Sequence, residues 1–318
     1  MPRSRRTRPS FGHKLEIRDS HFMIIPSWAL LGLYAALITT AIPLIQERLK
    51  AEGFAVAMIV KFVACIAMVP FVITHGFPDN PKFYYAVAIT SVLWAISDVI
   101  YFRSIPKVGA GVVTRLLPSA VILSFILWFF IDPALLEKYR ANPLQASLIA
   151  GIILLSAWFA SRLKNCAVSW KGFRVIWFVI FAACVGPLIE KMTLGYAPVK
   201  QAPFAFVFVQ ACFMLCCYLL YYMVRKPVSR GVLLSPLSLK AGILIGLCSA
   251  AGVTFRFMAL QEAEHPAYLS VILFTDALWV VLFHRLIGKS DNSNIWAGLG
   301  IVFCAIALTV VKSLDLHF

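Results

Sequence analysis

Long apolar segments follow one another along nearly the whole chain after a short N-terminal tail. Ten of them are recognisable, at 25–46, 54–74, 83–105, 108–131, 145–162, 174–194, 203–224, 239–260, 266–287 and 294–312. A helix rises about 1.5 Å per residue, so segments of roughly twenty residues match a hydrocarbon core of about 30 Å. Backbone polar groups find no water inside a bilayer and must bond within each helix. The sequence therefore predicts an all-α integral membrane protein with ten transmembrane helices.

The charged residues lie mainly outside these segments. Residues 1–22 hold six Lys or Arg and no apolar run, which predicts a disordered basic tail and not a cleaved signal peptide. The net charge of +15 is carried by this tail and by short loops, so we expect the lipid bilayer, and no nucleic acid, as a partner. The tail favours cytoplasmic termini because it resists translocation, although the loops taken alone favour the reverse orientation.

Two short sequence matches recur at nearly the same spacing. Pro-Leu-Ile occurs at 43–45 and 187–189, and Ala-Gly occurs at 150–151 and 297–298, with offsets of 144 and 147 residues. These offsets indicate an internal duplication of a five-helix unit. Because five is odd, the two units cross the bilayer in opposite senses, which is the inverted repeat of many secondary transporters. The predicted division is a basic tail at 1–22, a first repeat at 23–165 and a second repeat at 172–313.

Short motifs at the helix ends add a family resemblance. Tyr101 and Phe102 close the third segment, Ala259 and Leu260 close the eighth, and Pro118 lies in the fourth. With Ala-Gly near the start of the fifth and tenth segments, the chain resembles the drug/metabolite transporter superfamily, especially its EamA-like branch. That resemblance implies a multi-pass transporter of the cell (inner) membrane with cytoplasmic termini. It also implies that the protein exports a small organic metabolite, an amino acid or a drug.

Several polar or charged side chains lie within the apolar segments and form the predicted substrate and proton pathway. They are Lys61, Trp94, Asp98, Tyr101, Arg115, Glu190, Gln210, Arg256 and Asp276. A lone ionised group at mid-bilayer costs roughly 2.5 to 3.5 kcal/mol, so these groups need partners or water. We expect a polar central cavity in which Arg115, with Arg256 or Lys61, binds a carboxylate or phosphate. Asp98 or Asp276 would handle an amine or a coupling proton.

Asp98 and Arg115 lie at similar depths on either side of the turn at Pro106. Asp98 shares a helical stripe with Trp94 and Tyr101, so it can face the protein interior. One interpretation is that Asp98 and Arg115 contribute to the substrate site. The other is a structural ion pair that holds one helical hairpin together.

The remaining candidates also have two interpretations each. Asp276 lies mid-segment, roughly 9 Å in depth from Arg256, and is either a proton carrier or a protonated acid bonded to a neighbouring helix. Arg256 either faces inward or extends to the interface, and Gln210 is either an interhelical donor or a ligand group. Glu190 and its repeat counterpart Gln46 either mark helix kinks beside the cavity or lie at the membrane interface.

Signals for soluble-type catalysis are lacking in the sequence. The six histidines show no metal-site spacing, and no phosphate-binding loop or nucleophile motif is present. We therefore expect no enzyme activity and no cofactor. The sequence favours a secondary transporter that works by alternating access and is coupled to protons, as a monomer or homodimer. The alternatives are a membrane-embedded lipid-handling protein or enzyme acting on lipid head groups, and a channel-like or structural membrane protein.

Overall fold

The computed structural model describes residues 25–108, 118–162, 170–286 and 294–313, and within them the chain is organised as helices without strands. In chain order the helices are α1 (Ser27–Leu49), α2 (Gly53–His75), α3 (Pro81–Val108), α4 (Pro118–Ile131), α5 (Pro133–Ala141), α6 (Pro143–Arg162), α7 (Trp170–Leu194), α8 (Ala202–Arg225), α9 (Arg230–Leu233), α10 (Pro236–Glu262), α11 (Pro266–Leu273), α12 (Thr275–Leu286) and α13 (Ile295–Ser313).

The described helices are those of a multi-pass membrane protein. Within the described ranges, nine stretches are long and apolar enough to cross a bilayer, with α11 and α12 together forming one of them. The α4–α5 pair, bent by 102°, would make a tenth if it is one span. The predicted all-α membrane class is therefore confirmed. The predicted segment 108–131 includes residues 109–117, which lie outside the described residues.

Two segments between the predicted membrane spans contain helices, although their proline and charged residues favour surface loops. Within 132–144 lies α5, and within 225–238 lies α9. The α5 helix forms because the Asp132 carboxylate accepts a hydrogen bond from the Leu135 backbone N–H at 3.2 Å, which caps its first turn. Leu135 and Tyr139 then bury one face of this short helix against the bundle. Proline and charge in this segment thus mark a helix start, and not only a surface loop.

Contacts at the helix termini define one end of the molecule, here named the Ser27 end. The Ser27 hydroxyl donates to the Glu262 carboxylate, so α1 begins beside the point where α10 ends. Lys138 of α5 lies 2.9 Å from the Glu264 carboxylate, and Lys312 near the end of α13 binds the same carboxylate. The start of α1 therefore lies at the same end as α5 and the ends of α10 and α13.

The opposite end, here named the Glu52 end, contains the junction of α1, α2 and α3. Arg103 Nε lies 3.4 Å from the Glu52 carboxylate, so α3 ends where α2 begins. The Gln46 side-chain amide donates to the carbonyls of Ala51, at 2.9 Å, and Phe102, at 3.3 Å. Gln46 is fully buried, three residues before the end of α1. Its amide holds the last turn of α1 against the end of α3.

Helix α10 occupies the middle of the bundle. It packs along α1 and α2 and also contacts α7, α8 and α11. On the periphery, α7 packs against α3 and α6 packs against α13. The outward faces carry large apolar side chains such as Ile73 and Phe130, each 79% exposed. That distribution suits helices whose solvent is lipid, because lipid tails are as apolar as the side chains they meet.

Candidate functional site

A cavity of about 290 Å³ lies between α1, α2, α3, α7, α8, α10 and α12. Its walls belong mostly to the half of the bundle near the Glu52 end, as with Ile42 late in α1, Phe102 late in α3 and Ile245 early in α10. We name it the Glu52-side cavity. Eight of the nine side chains predicted from sequence line it, namely Lys61, Trp94, Asp98, Tyr101, Glu190, Gln210, Arg256 and Asp276. The ninth, Arg115, lies outside the described residues.

A second cavity of about 220 Å³ adjoins the first. It extends toward Leu260 and Pro266, at the end of α10 and the start of α11, and we name it the Ser27-side cavity. Trp94, Arg256 and Asp276 line both cavities. These three side chains form a polar layer with an open space on each side of it.

Lys61 and Asp98 form an ion pair that joins α2 to α3. Lys61 Nζ lies 2.9 Å from the Asp98 carboxylate, and the side chains are 14% and 22% exposed. Both charges border the Glu52-side cavity. The sequence suggested Arg115 as a partner of Asp98, but Arg115 lies outside the described residues. Lys61 lies fourteen residues before the end of α2 and Asp98 seventeen after the start of α3, so the same depth comparison applied to this hairpin would have indicated the pair.

Glu190 forms the second ion pair, with Arg256. Its carboxylate accepts a hydrogen bond from the Arg256 guanidinium and another from the Trp94 indole N–H, the latter at 2.8 Å. Glu190 is only 1% exposed and faces the interior of the bundle, four residues before the end of α7. Arg256 points into the bundle and does not extend to the interface, because a buried carboxylate is its partner. The guanidinium carbon also lies 5.9 Å from the Trp94 ring centre, within the range of a cation–π contact.

Gly186 makes room for this arrangement. A Cβ atom at this position would lie 2.6 Å from Cζ2 of Trp94, closer than real contacts allow. The absence of a side chain therefore lets the indole lie directly against α7. Glu190 is one turn further along the same helix, where it receives the Trp94 N–H. The repeated Pro-Leu-Ile begins at the next residue, Pro187, and does not include this glycine.

Lys191, the residue after Glu190, has a different role. Its ammonium donates to the carbonyls of Leu260, Gln261 and Ala263 at 2.7, 2.8 and 2.8 Å. These carbonyls belong to the last turn and C-terminus of α10, where a cation is favoured by the helix dipole. Lys191 therefore ties α7 to α10 at the Ser27 end and does not line either cavity.

Asp276 is the second residue of α12, directly after the interruption at Phe274 that separates α11 from α12. Asp276 lies at the predicted depth, because it is at the middle of the span Pro266–Leu286. This span matches the predicted segment 266–287, and the regular helix within it is interrupted at the single residue Phe274. A carboxylate in the first turn of α12 is stabilised by the positive end of the helix dipole.

Gln210 of α8 presents an unused donor to the Glu52-side cavity. The residue is 8% exposed, and its side-chain Nε2 has no hydrogen-bond partner among the residues that the structure describes. A buried donor without a partner costs about 1 to 3 kcal/mol. In the same described ranges, no group of three or more His, Cys, Asp or Glu side chains is arranged to hold a metal ion.

Comparison with known proteins bears on the fold alone. No protein-family model matches the chain, and no curated protein matches it. A solved structure whose title reads only "Crystal structure of protein" resembles the fold with a TM-score of 0.59. The match covers 91% of this chain and 97% of that chain, with 13% of residues identical. The likeness therefore extends over nearly the whole bundle.

Proposed function

We propose that the protein is a secondary transporter that moves a small polar or charged organic solute across the membrane by alternating access. The observation that carries the proposal is the polar layer of Trp94, Arg256 and Asp276, with one cavity on each side of it. A solute that crosses the membrane by alternating access must be released from a mid-depth site toward either end. Two adjoining cavities that share their polar wall are suited to such a passage.

The charges around the layer suit a solute with ionised groups. Lys61 and Arg256 offer cations to a carboxylate or phosphate, and the Gln210 amide offers a further donor. Asp98 and Asp276 offer acceptors to an amine or to a coupling proton. Because each ion pair borders water-accessible space, a solute can replace one partner without leaving the other charge bare in lipid.

The directions of two helices support the inverted repeat. Helix α1 starts at the Ser27 end, where Ser27 meets Glu262, whereas α7 finishes there, because Lys191 binds the last turn of α10. These helices carry the two Pro-Leu-Ile sequences and run in opposite senses. The boundaries of the two units, 23–165 and 172–313, remain predictions.

The count of ten crossings has similar support. Helix α3 finishes at the Glu52 end beside Glu52, while Lys138 of α5 lies at the Ser27 end beside Glu264. This change of end between α3 and α5 supports one further crossing in this part of the chain. The Sγ atoms of Cys65 and Cys212 lie 3.5 Å apart, and these residues are 147 positions apart in sequence, the offset of the Ala-Gly match. Equivalent residues meet in this way at a two-fold axis between repeats.

The test compares solutes inside and outside cells that carry wild-type protein, Arg256→Gln protein, Arg225→Gln protein or an empty vector. Arg225 is exposed at the end of α8, outside both cavities, so its variant controls for the loss of one arginine. We expect a solute to move outward with wild type and Arg225→Gln but not with Arg256→Gln. Repeating the assay with a collapsed proton gradient tests the coupling. If no solute moves although every form inserts equally, the transporter proposal is wrong.

A further inference from the structure

Two thiols meet where α2 packs against α8. The Sγ atoms of Cys65 and Cys212 lie 3.5 Å apart, and both residues are free cysteines. Ala64 and Ala211, which precede them, are small and buried in one apolar cluster, so the two helices can approach closely enough for the thiols to touch. A disulfide bond needs sulfur atoms about 2.05 Å apart, so oxidation has to bring these two sulfurs only about 1.5 Å closer.

The thiol pair lies at mid-depth in the bundle. Cys65 is twelve residues after the start of α2, and Cys212 is ten residues after the start of α8. At about 1.5 Å per residue, each lies roughly 15 to 18 Å from a helix terminus. Each cysteine is half-buried, and the residues that follow them, Ile66 and Phe213, are exposed on the outside of the bundle. Neither cysteine lines the Glu52-side or the Ser27-side cavity, so an oxidant that reaches the pair comes through the lipid.

The surroundings of the pair favour a disulfide as the oxidised product. A charged group costs free energy in an apolar medium, whereas a disulfide carries no charge. The bond would also join residues 147 positions apart in sequence, and cross-links that close long segments restrict the unfolded chain most. Cys65 belongs to the first predicted repeat and Cys212 to the second. The disulfide would therefore fix the two predicted units to each other at mid-depth.

We propose that Cys65 and Cys212 are a modification site, a dithiol that lipid hydroperoxides oxidise to an intramolecular disulfide. One thiol sulfur attacks the peroxide, so that an S–O bond forms as the O–O bond breaks. The S–H proton passes to the departing oxygen, which leaves as a lipid alcohol. The second thiol attacks the resulting sulfenic acid, which forms the S–S bond and releases water. The two sulfurs thus supply the two electrons that reduce the hydroperoxide.

The test treats the full-length protein in lipid nanodiscs with cumene hydroperoxide, blocks the remaining thiols and maps unreduced tryptic peptides by mass spectrometry. We expect a disulfide between the peptides 62–82 and 201–225, in protein that still migrates as a monomer on a non-reducing gel. The midpoint of thermal unfolding should rise by about 5 °C and return to the untreated value after reduction.

Cys65→Ala and Cys212→Ala should each remove the link and the shift in midpoint. Cys216→Ala is the matched control and should keep both, because Cys216 is exposed one turn further along α8 and lies in the same tryptic peptide as Cys212. A link that persists in Cys212→Ala and disappears in Cys216→Ala would overturn the pairing.

The wild-type measurement decides the proposal without depending on the folding of any variant. No link after treatment, or a link found only between two copies of the chain, would overturn the modification site. Neither readout measures solute movement, so a failure here is distinct from a failure of the transporter proposal.

Discussion

Glu190 is the most deeply buried carboxylate of the polar cluster, and it accepts from both Arg256 and Trp94. Glu190→Gln retains an acceptor for Trp94 but leaves the Arg256 charge without its counter-charge. Breaking a buried ion pair on one side costs about 3 to 5 kcal/mol. We expect a clearly lowered midpoint of thermal unfolding in detergent. We also expect solute movement to fall at least tenfold, equivalent to about 1.4 kcal/mol.

The double variant Glu190→Gln, Arg256→Gln separates stability from transport. With both charges removed, the unfolding midpoint should return toward that of wild type, because no bare charge is left in the bundle. Solute movement should stay low. Wild-type transport in the double variant would contradict a role for either side chain in solute passage.

The close packing of Gly186 against Trp94 can be tested by substitution. Gly186→Ala introduces a Cβ that collides with Trp94, so the indole must shift and lose its bond to Glu190. We expect a destabilisation of about 1 to 3 kcal/mol, as for other overpacked sites, measured by thermal unfolding. Gly151→Ala is the matched control, since a Cβ at that helical glycine meets nothing within 4 Å. Equal effects of the two substitutions would contradict the proposed packing role of Gly186.

Candidate residues were predictable from sequence because a charge inside an apolar segment is expensive wherever it lies. Their partners were harder to predict. Asp98 was compared with Arg115 because the two are close in sequence, but its observed partner is Lys61 in the preceding helix. Arg256 and Glu190 belong to helices far apart in sequence, so no local depth comparison could pair them.

At the scale of elements, His265 joins α11 to α4 and gives a pH-dependent prediction. Its Nδ1 lies 3.0 Å from the backbone N–H of Ala267 and accepts from it, which caps α11, while Nε2 lies 3.2 Å from the Phe125 carbonyl and donates to it. These two hydrogen bonds require the neutral imidazole, with one ring nitrogen accepting and the other donating. Burial lowers the pKa of His265 to about 3, and the nearby Lys191 charge acts in the same direction. The Phe125 carbonyl only partly opposes these effects.

The direction of this pH dependence follows from the pKa of histidine in the unfolded chain, which is about 6.5. Above pH 6.5 the ring is neutral in both states and its stabilising contacts are fully present. As the pH falls from 6.5 toward 3 the unfolded chain takes up a proton that the folded state does not, so stability declines. His265→Ala should therefore lower the unfolding midpoint at pH 7, through a loss of about 1 to 3 kcal/mol. It should also reduce the further loss between pH 7 and 5, whereas an unchanged pH dependence would contradict this role.

Long apolar helices were predictable because only helices satisfy backbone groups in a bilayer. The short and interrupted elements were not. Helix α5 depends on the Asp132 cap and on the burial of Tyr139, both of which a pattern of proline and charge leaves undetermined. The interruption at Phe274 carries no proline or glycine, so the sequence gives no local sign that α11 ends there.

For the molecule as a whole, two short sequence matches predict an internal repeat, whereas no sequence feature predicts how one end of the bundle is closed. The contacts that join the Ser27 end come from helix termini far apart in sequence, such as Ser27 with Glu262 and Lys138 with Glu264. In an alternating-access transporter this end must separate to release solute.

Opening of the Ser27 end can be tested with the double variant Ser27→Cys, Glu262→Cys. Bridging the two thiols with a short bifunctional methanethiosulfonate reagent ties the start of α1 to the end of α10. If the Ser27 end opens during each cycle, the bridged protein should still insert but lose nearly all solute movement, and a reductant should restore it. Ser27→Cys alone and Glu262→Cys alone, treated with the same reagent, control for modification without this bridge, including modification of the eight native cysteines. Continued movement in fully bridged protein would mean that solute leaves by another route, and that the contacts at the Ser27 end are only structural.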